Sequence, residues 1–313
     1  MYRDLKVFSG NSNRGLAQII CRHLNIPLSK LDISRFSNDN LFVQIKENVR
    51  EKDVFIIQSF SRPVSNHILE LLITLDALRS ASAKRITAVV PYYSYARSDK
   101  KDAPRISIAG RLIADLLKTA GANRVLTMDL HADSVHGFFS IPVDHLTAIP
   151  IICDHFQRRL DISNPVVVAT DAGGAKRAGR FANKMNTSMA IIDKRRISDT
   201  DVVQGLVVGD VKGKDAIIFD DEISTGGTLT TSVETLEKAG VRKIFVGATH
   251  PVLSGPAVKN LKDSSIEEIV VTDTVEITDN KKMERLNVLS VGPLFAEAIK
   301  RIHIGESVGA LFS

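Results

Sequence analysis

Residues Asp215 to Thr228 read DAIIFDDEISTGGT, a short apolar run followed by adjacent carboxylates and a Thr-Gly-Gly-Thr stretch. Ala216 to Phe219 fit a buried parallel strand, and Leu229, Val233 and Leu236 recur at helical spacing. Asp220, Asp221 and the glycines are therefore expected on the turn between strand and helix, where open α/β sheets bind ligands. Glycine lets backbone approach an anion, and the N–H groups of a helix start, with the hydroxyls of Thr225 and Thr228, can cradle a phosphate. The two carboxylates would repel that phosphate, so they face something else: sugar hydroxyls, or a metal. Together the groups suggest a phosphorylated sugar. The plainer alternative, a strand-turn-helix with a polar cap, does not call for a doubled Asp and paired Gly at this spacing.

Other stretches carry related chemistry. Thr170 to Arg177, TDAGGAKR, again follows a strand with an acid, a glycine pair and a basic helix start. A backbone cradle with Lys176 and Arg177 beside it suits a diphosphate, and Asp171 is placed to hold its magnesium. Asp129-Leu130-His131 closes an apolar strand, with Asp133 and His136 in the polar loop beyond; His131 is either a ligand or a satisfied structural residue. Tyr92 to Lys101, YYSYARSDKK, sets Arg97, Lys100 and Lys101 beside aromatic rings and could grip a triphosphate and a base, or form a solvated face. Asp193 to Asp201 opens with Lys194, Arg195 and Arg196, the cations that a loop closing over a phosphoryl-transfer site needs, or a solvated hairpin tip.

These stretches need a scaffold, and the apolar pattern supplies one. Strands are expected at 6–9, 31–36, 41–45, 53–58, 85–90, 124–130, 166–170, 189–192, 243–248 and 268–272, with helices at 16–24, 68–78, 108–117, 151–160, from 175, and at 294–302. Alternation of this kind means a parallel, doubly wound sheet. The run from Leu78 to Pro91 echoes that from Leu236 to Pro251, a weak internal duplication that implies tandem α/β domains joined near 144–150. The domains are expected at 1–146 and 147–292, with the final helix, about 293–313, packing back on the first.

Composition sets the class. A chain of 313 residues with 44% hydrophobic content buries ample core for two domains. Its two cysteines, Cys21 and Cys153, offer neither a disulfide framework nor metal-ligand spacing, and no stretch approaches a membrane span, so a cytoplasmic protein is expected. A net charge of +5 permits nucleic acid, but 5% aromatics, no Trp and dispersed cations argue against it; phosphorylated small molecules account for the basic excess.

Asp215 to Thr228 resembles the phosphoribosyl diphosphate-binding motif of the type I phosphoribosyltransferases. Taken in order, FSGNSN, RFSNDN, PYYSYARSDKK, TMDLHADSVHGFF, TDAGGAKR, DKRR, DDEISTGGT and GESVGALF resemble the ribose-phosphate diphosphokinase family over nearly the whole chain. That resemblance implies two tandem type I phosphoribosyltransferase-like α/β domains, each a mainly parallel sheet with helices on both faces. It implies transfer of the diphosphoryl group of Mg-ATP to the C1 hydroxyl of ribose 5-phosphate, giving phosphoribosyl diphosphate and AMP. By motif, Asp220 and Asp221 would hold the ribose hydroxyls, and Ser224, Thr225, Gly226, Gly227 and Thr228 the 5-phosphate. Asp171, Ala172, Gly173 and Gly174 would form the diphosphate loop, and His131 and Asp171 would bind Mg2+. Arg97, Ser98 and Lys100 would meet ATP, Phe36 and Asn38 from a neighbouring subunit would shape the adenine pocket, and Lys194 and Arg196 would be the catalytic cations. A homo-oligomer, typically a hexamer, follows. So does a regulatory anion site for phosphate or ADP, lined by Asn48, Arg50, Ser82, Arg105 and Ser307 together with Gly309. The chain departs from the family pattern at Asn40, usually Glu, at Ser98, usually Gln, and at Ser224, commonly Asp. Asn48 and Gly309 both stand where Ser is common.

Overall fold

The computed structural model describes residues 4–193 and 205–311. In chain order the elements are β1 (Leu5–Ser9), α1 (Arg14–Leu24), β2 (Leu31–Arg35), β3 (Leu41–Ile45), β4 (Asp53–Ile57), α2 (Val64–Ser80), β5 (Arg85–Val90), α3 (Ala109–Ala120), β6 (Arg124–Met128) and β7 (Val143–Leu146). They continue with α4 (Ile149–Gln157), β8 (Pro165–Ala169), α5 (Ala175–Met185), β9 (Ser188–Asp193), β10 (Leu206–Val208), β11 (Asp215–Ile223), α6 (Gly227–Lys238), β12 (Lys243–Pro251), α7 (Ala257–Lys262), β13 (Glu268–Thr272), β14 (Leu286–Leu289) and α8 (Gly292–Ile304). One compact unit takes the chain up to Thr147, together with Thr274–Glu276 and the stretch from Ser290 onward; the other takes Ala148–Asp273 and Ile277–Leu289.

In the first unit the strand order is β1-β4-β5-β6-β7, every neighbouring pair parallel, and β2 and β3 form a separate antiparallel ribbon. Strand residues alternate between faces. Phe8, Val54, Ile56, Ile86 and Ala88 pack with Leu71, Leu75 and Leu78 of α2 and Ile113 and Leu117 of α3. The alternate residues Val7, Phe55, Ile57 and Val89 are also fully buried, which requires cover on the opposite face. The helix pair α1 and α8 is apposed closely there, a Cβ at Gly292 falling 2.3 Å from Cγ2 of Ile19. Arg85 further ties α8 to the sheet, pairing with Asp53 and donating to Ile302 O at 2.9 Å, while Nδ1 of His303 lies 2.7 Å from the same Asp53.

In the second unit the order is β10-β9-β8-β11-β12-β13-β14, parallel except for β10 against β9. One face packs Val166, Val168, Ile218 and Val246 under Leu229, Val233 and Leu236 of α6. The other is aromatic. Phe181 of α5 stacks on Phe219 of β11 with centroids 4.1 Å apart, and Phe156 of α4 meets Phe181 and Phe245 edge-on at 6.4 and 6.2 Å. Gly247 lies under these rings, and a Cβ there would come within 3.2 Å of Ile152, Phe156 and Phe219. The two-unit α/β architecture, with mainly parallel sheets covered on both faces, is the one expected from the sequence.

Two corrections apply. β7, β10, β14 and α7 were not foreseen; they are three to six residues long, and the strands among them lie at or beside sheet edges where pattern is weak. The acidic pair is not on a turn. β11 runs through Asp220 and Asp221 to Ile223, because its ladder with β12 continues to Ile223↔Pro251 after its pairing with β8 ends at Ile218↔Val168.

The Phe181–Phe219 stack fastens α5 to β11 and so sets the loop before α5 beside the acids at the end of β11. Phe181→Ala is expected to cost about 3–5 kcal/mol, read as a lower urea midpoint for the transition that reports the second unit.

Candidate functional site

The acidic pair sits where one neighbour strand has stopped. Asp220 pairs in register with Ala248 of β12, while the ladder with β8 has already ended at Ile218↔Val168, so the carboxylates lie past the paired part of β8. Asp221 is buried and Asp220 half-buried. Nη1 of Arg177, on the first turn of α5, lies 2.6 Å from Oδ1 of Asp220 and 2.8 Å from Oδ1 of Asp221. The Asp221 amide donates to Oδ1 of Asp220 at 2.9 Å, and the Thr170 hydroxyl reaches Oδ2 of Asp220 at 3.5 Å. Burial and then the Asp221 carboxylate push the Asp220 carboxyl well above the usual carboxylate range, with Arg177 acting against them.

Beyond Ile223 the chain turns through Ser224 and Thr225 into α6. Gly226 holds φ +77°, a left-handed conformation that suits glycine, and no side chain caps the helix start. The first amides of α6 have no intrahelical acceptors, so a phosphate beside Thr225 and Thr228 would meet several donors and the positive end of the helix. Ser254 fixes the turn, its amide donating to Ser224 O and its hydroxyl lying 3.0 Å from that of Ser224. Asn260 of α7 donates to Thr225 O at 2.9 Å. Neither Ser254 nor Asn260 was foreseen; the Ser254-Gly255-Pro256 turn was a usable signal for the first, and nothing local points to the second.

The loop before α5 is open. Asp171, Ala172 and Gly173 are exposed, and Oδ1 of Asp171 accepts from the Gly174 amide at 2.8 Å, which leaves the second carboxylate oxygen available. α5 also starts without a side-chain cap. Of the two cations expected beside this loop, Lys176 is exposed, but Arg177 turns to the acidic pair instead.

In the first unit the carboxyl ends of the strands carry the remaining positions. After β5 the chain forms a 3-10 turn, Ser94–Arg97, with Arg97 and Lys100 exposed. The Ser98 hydroxyl accepts from the Ala109 amide at 3.1 Å and so caps α3. After β6, Asp129 takes φ +37° and His131 is half-buried. Nε2 of His145, on β7, accepts from the Leu130 amide at 2.8 Å and fixes the backbone that leads into His131. His145 had no support from sequence. Phe36, 56% exposed, and Asn38 lie in the turn between β2 and β3, the Phe36 ring 5.4 Å from that of Phe42 and Oδ1 of Asn38 accepting from the Asn40 amide.

Asn48 Oδ1 accepts from the Arg50 amide at 3.0 Å, Ser82 holds φ +63° with its carbonyl accepting from the Glu51 amide, and Arg105 is exposed at φ +64°. Ser307 Oγ accepts from the Gly309 amide at 3.2 Å. Lys194 and Arg196 lie outside the described residues.

Glycine-opened helix starts beside a carboxylate pair, at the carboxyl ends of parallel strands, make an α/β protein suited to phosphorylated ligands. Residues 5–121 match the N-terminal domain of ribose phosphate pyrophosphokinase, and residues 203–313 match the phosphoribosyl synthetase-associated domain. The chain is 51% identical over 313 residues to the ribose-phosphate pyrophosphokinase of Deinococcus radiodurans, covering 99% of this chain and 98% of that relative. Its identity to the ribose-phosphate pyrophosphokinase of Caldanaerobacter subterraneus is 49% over 310 residues, at 99% and 98% coverage. The structure superposes on the crystal structure of phosphoribosylpyrophosphate synthetase from Mycobacterium smegmatis with a TM-score of 0.92 at 39% identity, covering 97% of this chain and 100% of that one. The chain belongs to the ribose-phosphate pyrophosphokinase family and is an enzyme of nucleotide biosynthesis.

The raised Asp220 carboxyl has a measurable consequence. Its ordinary value of 3.8 moves to about 7 in the folded protein. Between those values the native state holds a proton that the unfolded chain has released, so this group makes stability fall as pH rises from about 4 to about 7. Asp220→Asn is expected to remove that contribution. Urea midpoints of the ligand-free parent and variant across this range check it, and parallel curves would refute it.

Proposed function

We propose that this enzyme transfers the diphosphoryl group of ATP to the C1 hydroxyl of ribose 5-phosphate, with Mg2+, in the cytoplasm. The C1 oxygen bonds to the β-phosphorus, the bond from that phosphorus to the oxygen bridging it to the α-phosphate breaks, and AMP leaves; the hydroxyl proton passes to water. The observation that carries this reading is the proximity along β11 and α6 of a hydroxyl-accepting carboxylate pair and an uncapped helix start. A sugar bearing vicinal hydroxyls at one end and a phosphate at the other matches both.

In this reading Asp220 and Asp221 accept from the ribose hydroxyls, while Ser224, Thr225, Gly226, Gly227 and Thr228 hold the 5-phosphate. Asp171 to Gly174 receive the diphosphate; Arg97, Ser98 and Lys100 contact ATP, and Phe36 and Asn38 of an adjoining subunit in a hexamer contribute to its adenine pocket. Lys194 and Arg196 supply positive charge to the transferring group. Among the described residues no group of three or more His, Cys, Asp or Glu could hold a metal by itself. That suits Mg2+, which takes one or two carboxylates and completes its shell with water and phosphate oxygens. Asp171, exposed and with one oxygen uncommitted, fits such a role, and His131 is the second candidate. When bound, Mg2+ neutralises phosphate charge during transfer. The cytoplasmic reading is supported by the free, buried Cys21 and Cys153 and by the lack, among the described residues, of any helix long and apolar enough to cross a membrane.

One assay tests the reaction. With ribose 5-phosphate and Mg-ATP, AMP and phosphoribosyl diphosphate are expected in equal amounts by chromatography. ADP in place of AMP would make the enzyme a simple kinase, and no turnover would overturn the reading.

Regulation is expected to be weaker than in family members with serines at both variant positions. The Asn48 carbonyl is engaged by the Arg50 amide, and Gly309 offers no hydroxyl. Each missing hydroxyl donor to a phosphate is worth up to about 1.5–3 kcal/mol, with part recoverable through the Asn48 amide. Initial rates are expected to depend little on added phosphate, and saturating ATP is expected to relieve ADP inhibition. Activity that is absent until phosphate is added, with ADP inhibition that ATP cannot relieve, would contradict this.

A further inference from the structure

The pairing of Arg177 is at odds with its place in the sequence. It follows Asp171-Ala172-Gly173-Gly174-Ala175-Lys176 directly, so the chain order puts it with the diphosphate loop. Its side chain goes elsewhere: one terminal nitrogen spans both members of the acidic pair at 2.6 and 2.8 Å, and the side chain is only 17% exposed. Consecutive strand residues send their side chains to opposite faces of a sheet, so Asp220 and Asp221 would diverge if left to backbone geometry. The nitrogen donates a hydrogen bond to Oδ1 of Asp220 and brings its charge to within 2.8 Å of Oδ1 of Asp221, a shared contact that the planar guanidinium fork suits better than a point-charge ammonium. Both contacts use Oδ1 atoms, and the Asp221 amide adds a second hold on Oδ1 of Asp220. On Oδ2 of Asp220 the Thr170 hydroxyl reaches no closer than 3.5 Å.

We propose that Arg177 is a positioning residue of the sugar site, drawing the two carboxylates to one side and fixing their Oδ1 atoms so that the pair is preset to accept from vicinal hydroxyls. The proposal rests on the ribose 5-phosphate reading above. It gives the glycine-loop helix two separate duties: its start serves the anion, and its first-turn arginine serves the diol. The arginine also supplies a countercharge to two adjacent acids, one of them 1% exposed, that would otherwise resist ionising together.

The test is a comparison of Arg177→Gln, Arg177→Lys and parent enzyme. Losing a charge-assisted contact of this kind is worth roughly 10- to 100-fold. Arg177→Gln is expected to raise KM for ribose 5-phosphate by about that factor while KM for ATP stays within about twofold. Arg177→Lys is expected to recover most of the loss but to remain several-fold above the parent. A raised KM for ATP with an unchanged KM for the sugar would return Arg177 to the diphosphate and overturn the proposal. If thermal melting shows that the Gln variant does not fold, the Lys variant decides: a several-fold rise for the sugar alone supports the proposal, and an unchanged sugar KM overturns it. Parent enzyme that forms no AMP would defeat the functional reading itself. Calorimetric titration of parent and variants with ribose 5-phosphate then still measures the role of Arg177, equal affinities counting against it.

Discussion

Two carboxylates on consecutive residues of a strand repel each other, and burying them makes it worse. The second unit keeps Asp220 and Asp221 in that position through the guanidinium of Arg177, which spans them. Much of the local structure follows from the need to deliver that one group. α5 must lie across the end of β11, which the stacked Phe181 and Phe219 rings enforce. β8 must stop early enough to leave room, which the register shows: its pairing ends at Ile218, two residues before the first acid. Where the stack sits is as informative as its strength, because it links the helix carrying the arginine to the strand carrying the acids.

The same arrangement explains how opposite demands are met within a few residues. A phosphate needs donors and positive potential, while sugar hydroxyls need acceptors. β11 ends in carboxylates and α6 begins in uncapped amides, and Ser224, Thr225 and Gly226 separate the two. The left-handed Gly226 lets the chain turn from one to the other, and Asn260 and Ser254 hold the turn through its backbone carbonyls rather than by capping the helix. A side-chain cap would stabilise α6 by about 1 kcal/mol but would spend the donors that the proposed 5-phosphate site uses.

Much of this was legible in the residues. Strands β5 and β13 fall where apolar runs place them, since central parallel strands are continuous in Val, Ile and Leu, and the glycine-rich loops declare themselves. The extent of β11 was not legible, because Asp220-Asp221-Glu222 reads as the end of a strand; only the long β12 beside it and the cation above it keep those residues in the ladder. The destination of Arg177 was hidden for the same reason, as it depends on a contact 43 residues away in sequence. His145 is a third case: its bond to the Leu130 amide joins two neighbouring strands, and no local pattern predicts it.

The duplication seen weakly in sequence also shows why one unit carries the carboxylate site. By ladder register, Asp53 stands opposite Leu5 in the first sheet as Asp215 stands opposite Pro165 in the second. Counting forward, Gln58 and Ser59 take the places of Asp220 and Asp221, and Gly10 and Asn11 those of Thr170 and Asp171. The strand-end acids are therefore absent from the first unit, and a carboxylate comes instead from α2. Glu70, buried, accepts from the Asn11 amide at 2.7 Å, from the Asn11 side chain at 2.8 Å and from Gln58 at 2.7 Å. The start of α1 is capped as well, Oδ1 of Asn13 accepting from the Leu16 amide at 3.1 Å. An internal carboxylate thus occupies donors at the loop that corresponds to the exposed Asp171 loop, and a Cβ at Gly10 would fall 2.7 Å from Oε1 of that same Glu70. The two units share a frame, but in one the loop after the first strand is filled by the protein's own anion, and in the other the corresponding loop, Asp171 to Gly173, is exposed.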